Sequence, residues 1–498
     1  MGILARQASW NAVLAYVGMG LGFVNVVLLY PKVLPDDEFG LTRLVISIAT
    51  IAAQLAQLGL DNTVLRYFPY FRNKERQHNG LLGLALALGT GGAILAMLVL
   101  WLFHGHFALW FGAADGLYAA HGLTVLPLVL SEVYFFLFRS YSRSIHRSIA
   151  PTFSREFILR VLQMGLIAAQ AVWHFDLRTF MLLYTGTFMI STLALVVDLW
   201  RSGNLQFGLG KLRVPDRLRR SMSRYAFFTF GSGMATIALG NIDQLMVGAM
   251  LKNGLDNVAY YAVAFYIASV ILIPARALVL PSMPILAEAW RKRDHAMIGM
   301  IHRRSAAIQL VIGAYLFLGL WSGADLLFSW MKPGYATGRN VLLILGVVNV
   351  INLAGGLSGG IVATSRSYWF DAMSSVVLIV LNLVLDYVFI LAFGMVGAAW
   401  SSLVAFSTVL LWRTIFLKRR YGIWPYDAGT VKASVLTIAL GLLLWSLPHI
   451  GGLWTDFLVR AALITIIFWP IVHWLRIAPD LSTQLRLVMD RARSAMDP

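Results

Sequence analysis

Residues 39–64 read FGLTRLVISIATIAAQLAQLGLDNTV. One cation, Arg43, and one anion, Asp61, sit in a background of Leu, Ile, Val and Ala. About 20 mostly apolar residues span a bilayer as a helix, so this stretch predicts a membrane helix. Its polar residues Arg43, Ser47, Thr50, Gln54, Gln57 and Asp61 fall at steps of 4, 3, 4, 3 and 4, which is one helical face. In lipid such a stripe must meet protein or water. A packed seam is one reading, because Ser, Thr and Gln glue membrane helices together. A hydrated path is the other, and a stripe that runs the whole length of the helix favours it. Arg43, about one turn from the helix end, can also snorkel.

Outward from this stretch, the same kind of run recurs along all 498 residues, 59% of which are hydrophobic and 13% charged. A soluble chain carries roughly 25% charged residues. Helices are expected near 9–34, 39–64, 80–103, 116–138, 156–174, 178–200, 225–251, 257–283, 305–331, 339–362, 370–393, 394–417, 431–449 and 454–475. The fold class is therefore an all-α membrane protein of about fourteen transmembrane helices. The apolar stretch after Arg6 runs to Tyr30, too long for a signal-peptide core, and reads as the first of them. Cysteine is absent, which excludes disulfides, thiol catalysis and Cys-metal sites.

The net charge of +17 follows from topology rather than from nucleic-acid binding. Counting Arg6, the even-numbered loops and the C-terminal tail, 31 of the 40 Lys and Arg residues lie on one side. The densest run is Arg201, Lys211, Arg213, Arg217, Arg219, Arg220 and Arg224. The opposite loops hold only Lys32, Arg178, Lys252, Lys332 and Arg339. Both termini are thus expected to be cytoplasmic.

Further polar residues lie at membrane depth. Helix 7 repeats the stripe with Thr229, Ser232, Thr236, Gly240 or Leu239, and Asp243, its only acid, with Asn241 and Gln244 beside it. Helix 1 offers Asn11, Ala15, Gly18, Gly22 and Asn25, a small and polar face equally suited to close helix packing. Arg276 lies between Pro274 and Pro281, where missing backbone donors loosen the helix. Asn349 and Asn352 lie mid-helix, and Asn382 and Asp386 share a face; hydrogen bonds to sugars and bonds between helices both fit them. Glu132, Glu156 and Arg160 read as structural ion pairs. Gly89-Thr90-Gly91-Gly92 lacks a Walker lysine. The scattered histidines form no ligand set, and no nucleophile–base pair is visible. Residues 479–493 suit a short interfacial helix. No enzyme activity, cofactor or metal is expected.

The basic loop at about 201–224 divides the first twelve helices into six and six, a parallel repeat. Each half opens with acids between its first two helices: Pro35-Asp36-Asp37-Glu38-Phe39-Gly40, and Gly254-Leu255-Asp256-Asn257-Val258-Ala259-Tyr260-Tyr261. The run PDDEFGLTRLVISIATIAAQLAQLGLDNTVLR, ending at Arg66, resembles the opening of bacterial Wzx-type polysaccharide flippases. Asp243-Gln-Leu-Met-Val-Gly-Ala-Met-Leu251 resembles the start of their second lobe. These flippases belong to the multidrug, oligosaccharidyl-lipid and polysaccharide exporter superfamily. The resemblance implies an N-lobe at 1–205, a basic cytoplasmic linker at 206–224, a C-lobe at 225–417, helices 13 and 14 at 431–476, and a cytoplasmic tail at 477–498. It implies a central cavity lined by helices 1, 2, 7 and 8. It also implies alternating access, location in the bacterial inner membrane, and a polyprenyl-pyrophosphate-linked oligosaccharide as cargo for surface polysaccharide, including lipopolysaccharide. Membrane lipids and a polysaccharide polymerase machinery are the implied partners. On that reading Arg276 would meet the pyrophosphate, since Arg offers paired donors, and Arg43 would be one of the cavity residues. Gln54, Gln57, Asp243, Asn25, Asn349 and Asn352 would line the cavity. An ion-coupled multidrug exporter of the same fold and a lipid II flippase are the alternatives; a membrane transferase would need acids or histidines gathered on a sizeable loop.

Overall fold

A computed structural model describes residues 2–73, 77–112, 116–208 and 215–477. Among them there is no strand, and thirteen helices are long and apolar enough to cross a membrane, against about fourteen expected. Fourteen helical segments follow the expected order. α1 comprises Gly2–Phe23, a π-helical turn Val24–Leu29, and Tyr30–Val33. α2 is Asp36–Gln57, α3 Leu81–Leu102, α4 Val125–Ser144, and α5 runs from Ile149–Phe153 through a π-turn Ser154–Ile158 to Leu159–Trp173. α6 is Leu177–Arg201, α7 Asp216–Met250, and α8 joins Gly254–Ser269 to Ile273–Lys292. α9 is His295–Ser329, α10 Arg339–Ala354, α11 Tyr368–Phe393, α12 Met395–Tyr421, α13 Ala428–Ser446 and α14 Leu453–Trp474.

The segment outside the thirteen is α7, where Thr229, Asn241, Asp243 and Gln244 lower the hydropathy. It begins at Asp216, inside the stretch read as a linker. Pro215 precedes it and Asp216 opens its first turn, both favourable to a helix start. α9 likewise begins ten residues before its expected start, because the Asp294 side chain accepts from the Met297 N–H as an N-cap.

The largest departure is in α2. Leu58 and Gly59 both adopt left-handed backbone, with φ of 46° and 78°, and the chain restarts as a separate helix, Leu60–Phe71. A side chain at Gly59 would meet the Ala226 carbonyl of α7, so glycine is required there for space as well as for φ. The polar stripe therefore ends at Gln57, and Asp61 belongs to the next helix.

The chain divides into two compact units: Met1–Tyr266 with Ser375–Ala398, and Ile267–Ser374 with Ala399–Pro498. In the first unit α2 is the interior helix, with 72% of its span buried against 28% for α3. In the second unit α9 packs on α13 and α14 through Leu310, Val311, Leu318, Leu436, Ile464 and Phe468. Arg460 ties α14 to the end of α13. Its Nε donates to both Asp456 oxygens at 2.9 Å. Its Nη atoms reach the carbonyls of Leu444, Leu447 and Pro448 at 2.5, 3.0 and 3.1 Å. Those carbonyls lie at the α13 C-terminus, where backbone acceptors lack helical partners.

Candidate functional site

The first unit contains a charged interior between α1, α2, α4, α5 and α6. α1 supplies its small face to α5. Asn11 Nδ2 donates to Ser148 Oγ at 2.9 Å, and Asn25 Nδ2 to the Arg160 carbonyl at 2.8 Å. Side chains at Gly18 and Gly22 would run into Glu156 and Arg160, so both must lack a Cβ for α1 to cover that pair. Asn25 lies in one π-turn, and Arg155 and Glu156 in the other. π-turns of this kind occur often at functional positions.

Two ion pairs hold this interior. Arg155 Nη2 meets Glu132 Oε1 at 2.5 Å, with Glu132 fully buried, and Arg160 meets Glu156 at 3.7 Å. The guanidinium of Arg155 lies over Phe135 and Phe188, and that of Arg160 over Tyr266. The Tyr266 hydroxyl donates to the Met19 carbonyl at 3.1 Å.

Arg43 is different. Its guanidinium sits 4.9 Å from the Tyr30 ring centroid and 5.0 Å from that of Phe39. Among the described residues it has no ion pair, and its buried Nε and Nη2 find no acceptor. Tyr184, fully buried, packs edge-on against Tyr30 with 6.5 Å between ring centroids. Arg155 and Arg160 each have a carboxylate partner, and Arg43 has none among the described residues. Shielding part of a guanidinium without a counter-charge is costly, and two aromatic faces offset only part of that cost. A forked donor held this way suits a phosphate oxygen.

A second constellation in the same unit is acidic. Tyr261 on α8 donates to Asp243 Oδ2 at 2.5 Å. Asn382 on α11 donates to Asp243 Oδ1 at 2.8 Å and to Asp386 Oδ2 at 2.9 Å. All four residues are buried. Two carboxylates with a phenol and an amide supply the oxygens that a proton or a small monovalent cation needs. No group of three or more His, Cys, Asp or Glu able to hold a metal occurs among the described residues.

The α2 stripe faces α7. Ser47, Gln54 and Gln57 are each at most 1% exposed. Ser47 Oγ donates to Gln244 Oε1 at 3.3 Å, and Gln57 Nε2 to Gln54 Oε1 at 3.1 Å. Gln54 Nε2 lies against Gly233. On the neighbouring face Ile48, Ile51 and Leu55 line an apolar cavity of about 600 Å³ with Leu95, Val99 and Met246.

Of the residues singled out in the sequence, Asn25 and Arg43 belong to the charged interior, Gln54 and Gln57 to the face toward α7, and Asp243 to the acidic constellation. Asn349, in the second unit, donates to the Ala268 carbonyl at 2.9 Å, and Asn352 is exposed. Arg276 lies in the second part of α8, but its side chain, like those of Ser232, Thr236 and Leu239, is outside the described ones, as are residues 479–493. Arg155 joins Glu132 here, a pairing that the sequence alone does not signal. The link from Asp243 to Asn382 and Asp386 needed tertiary structure; its one sequence signal is the spacing of four in α11.

Residues 4–290, more than half of the chain, match the family described as polysaccharide biosynthesis protein. A 209-residue stretch is 23% identical to the probable low-salt glycan biosynthesis flippase Agl15 of Haloferax volcanii, covering 41% of this chain and 44% of that protein. The chain thus spans less than half the length of that curated relative. Among solved structures, the lipid II flippase MurJ in its inward closed conformation superposes with a TM-score of 0.71 at 11% identity, over 94% of this chain and 99% of MurJ. An inward-facing multidrug resistance MATE family transporter of the MOP superfamily gives 0.61 at 12% identity, over 82% and 94%. A MOP superfamily transporter from Pyrococcus furiosus gives 0.57 at 12%, over 84% and 95%. The chain belongs to the polysaccharide biosynthesis protein family and is a multi-pass membrane protein with the fold shared by MurJ and the MATE transporters.

Proposed function

We propose that the protein is a flippase that moves a polyprenyl-pyrophosphate-linked oligosaccharide across the bacterial inner membrane by alternating access, for surface polysaccharide assembly. The observation that carries this reading is Arg43, a half-buried residue whose buried Nε and Nη2 find no acceptor among the described residues. A pyrophosphate supplies the missing acceptors and charge. The family match and the glycan flippase relative support the same cargo class. Both termini face the cytoplasm, and a polysaccharide polymerase receives the product on the far side. Arg276, in the second unit, is a further candidate for contact with an anionic headgroup.

The acidic constellation of Asp243, Asn382 and Asp386 supports cation coupling, by proton or alkali ion, as the source of energy. The same constellation keeps an ion-coupled exporter as the second reading. Complementation separates the two. In a host lacking its own oligosaccharide flippase, the wild-type gene restores surface glycan and Arg43→Ala does not, at equal protein abundance. Restoration by Arg43→Ala would remove the proposed role. Drug resistance without surface glycan would favour the exporter.

A further inference from the structure

α5 and α6 enclose a cleft of about 710 Å³ in the first unit, at the end of α6 that carries the basic residues. Its walls combine two chemistries. Ile149, Phe153, Ile158, Ala194 and Val197 form an apolar wall, and Phe153 and Val197 are about 40% exposed. Arg147, Asp198 and Arg201 stand at its rim. Arg147 and Asp198 are joined by two bonds, Nη2–Oδ1 at 2.7 Å and Nε–Oδ2 at 3.3 Å. Arg201 is exposed and forms no ion pair among the described residues. The rim thus carries one net positive charge. Trp200 beside it is 68% exposed, the place of an aromatic at the membrane–water boundary. An apolar wall rising to an unpaired guanidinium at that boundary has the polarity of a lipid: acyl chain below, charged headgroup above.

We propose that this cleft is a binding site for an anionic glycerophospholipid, whose phosphodiester meets Arg201 and the free edge of Arg147 while an acyl chain lies along Phe153, Ile158, Ala194 and Val197. Charge complementarity selects the anionic class, because the cytoplasmic leaflet carries anionic lipids and the rim has a single positive charge to match one phosphodiester. The site is separate from Arg43 and does not depend on the flippase reading.

Native mass spectrometry of the purified protein, titrated with phosphatidylglycerol or phosphatidylcholine, tests it. Wild type retains phosphatidylglycerol in preference to phosphatidylcholine. Arg201→Gln lowers phosphatidylglycerol retention about fivefold, the value of roughly one basic residue at an anionic surface, while Arg419→Gln, an exposed charge elsewhere, leaves it unchanged. Ala194→Trp fills the apolar part of the cleft and lowers retention as well, with the thermal transition of the protein monitored alongside. Equal retention of the two lipids by wild type would overturn the proposal. So would loss in Arg201→Gln with full retention in Ala194→Trp, which marks diffuse surface charge. A preference for polyprenyl phosphate over phosphatidylglycerol would also overturn it, and would make the cleft an entry point for cargo.

Discussion

Gln54→Leu separates a packed seam between α2 and α7 from a hydrated path. Gln54 is 1% exposed, accepts from Gln57 Nε2 at 3.1 Å, and lies against Gly233. Leucine has similar bulk, so no large cavity forms. The substitution removes one neutral hydrogen bond and strands the Gln57 amide. One lost bond is worth about 1 kcal/mol, and a stranded buried donor about 1–3 kcal/mol. The expected loss is therefore about 1–2 kcal/mol of stability, with transport retained. Removing both partners is close to neutral, so Gln54→Leu with Gln57→Leu should recover most of that loss. Thermal unfolding in detergent micelles reads the stability, and surface glycan in complemented cells reads transport. Loss of transport in Gln54→Leu at unchanged stability would refute the seam. Rapid reaction of a cysteine at Gln54 with a small polar thiol reagent would refute it too, and the chain has no native cysteine to confuse the labelling.

Other predictions concern topology, anchoring and coupling. A cysteine at Ser202 should resist an impermeant thiol reagent added outside intact cells; rapid labelling would reverse the assigned orientation. Arg460→Ala should destabilise the α13–α14 pair by about 1–3 kcal/mol, because the Leu444, Leu447 and Pro448 carbonyls and Asp456 lose a charged donor while His449 and the Ile450 N–H stay on Asp456, and thermal unfolding should show it. Asp243→Asn should abolish dependence of transport on the proton or sodium gradient while the protein still folds; full gradient dependence in that variant would remove the acidic constellation from coupling.

Membrane helices were legible because about 20 apolar residues in a row have few soluble uses, and most segments lie within a few residues of their expected places. The starts of α7 and α9 were misplaced because both helices extend out of the apolar run, where Pro215-Asp216 and Asp294 mark the starts and hydropathy does not. The break at Leu58-Gly59 was hidden because periodicity carries straight across it; the glycine is its one local signal. In α1 the small and polar face was visible, but not that Gly18 and Gly22 make room for the Glu156–Arg160 pair, since a helical face does not name its neighbour. The same limit hid the bridge from Asp243 to Asp386, which spans residues far apart in the chain. Arg43 stood out in the sequence as the cation of its helix, and its aromatic bed of Tyr30 and Phe39 emerges only when the start of α2 folds back on the end of α1.

The central claim is tested most directly by reconstitution into liposomes with a fluorescent polyprenyl-pyrophosphate oligosaccharide, scored by quenching from one side. Wild-type protein should move the cargo between leaflets. Arg43→Ala should slow it roughly 10- to 100-fold, the value of a lost charge-assisted contact of about 1.5–3 kcal/mol. Arg43→Lys should recover part of the rate, because lysine keeps the charge without the fork. Cargo that stays in its leaflet with wild-type protein, or crosses equally fast with Arg43→Ala, would contradict the account.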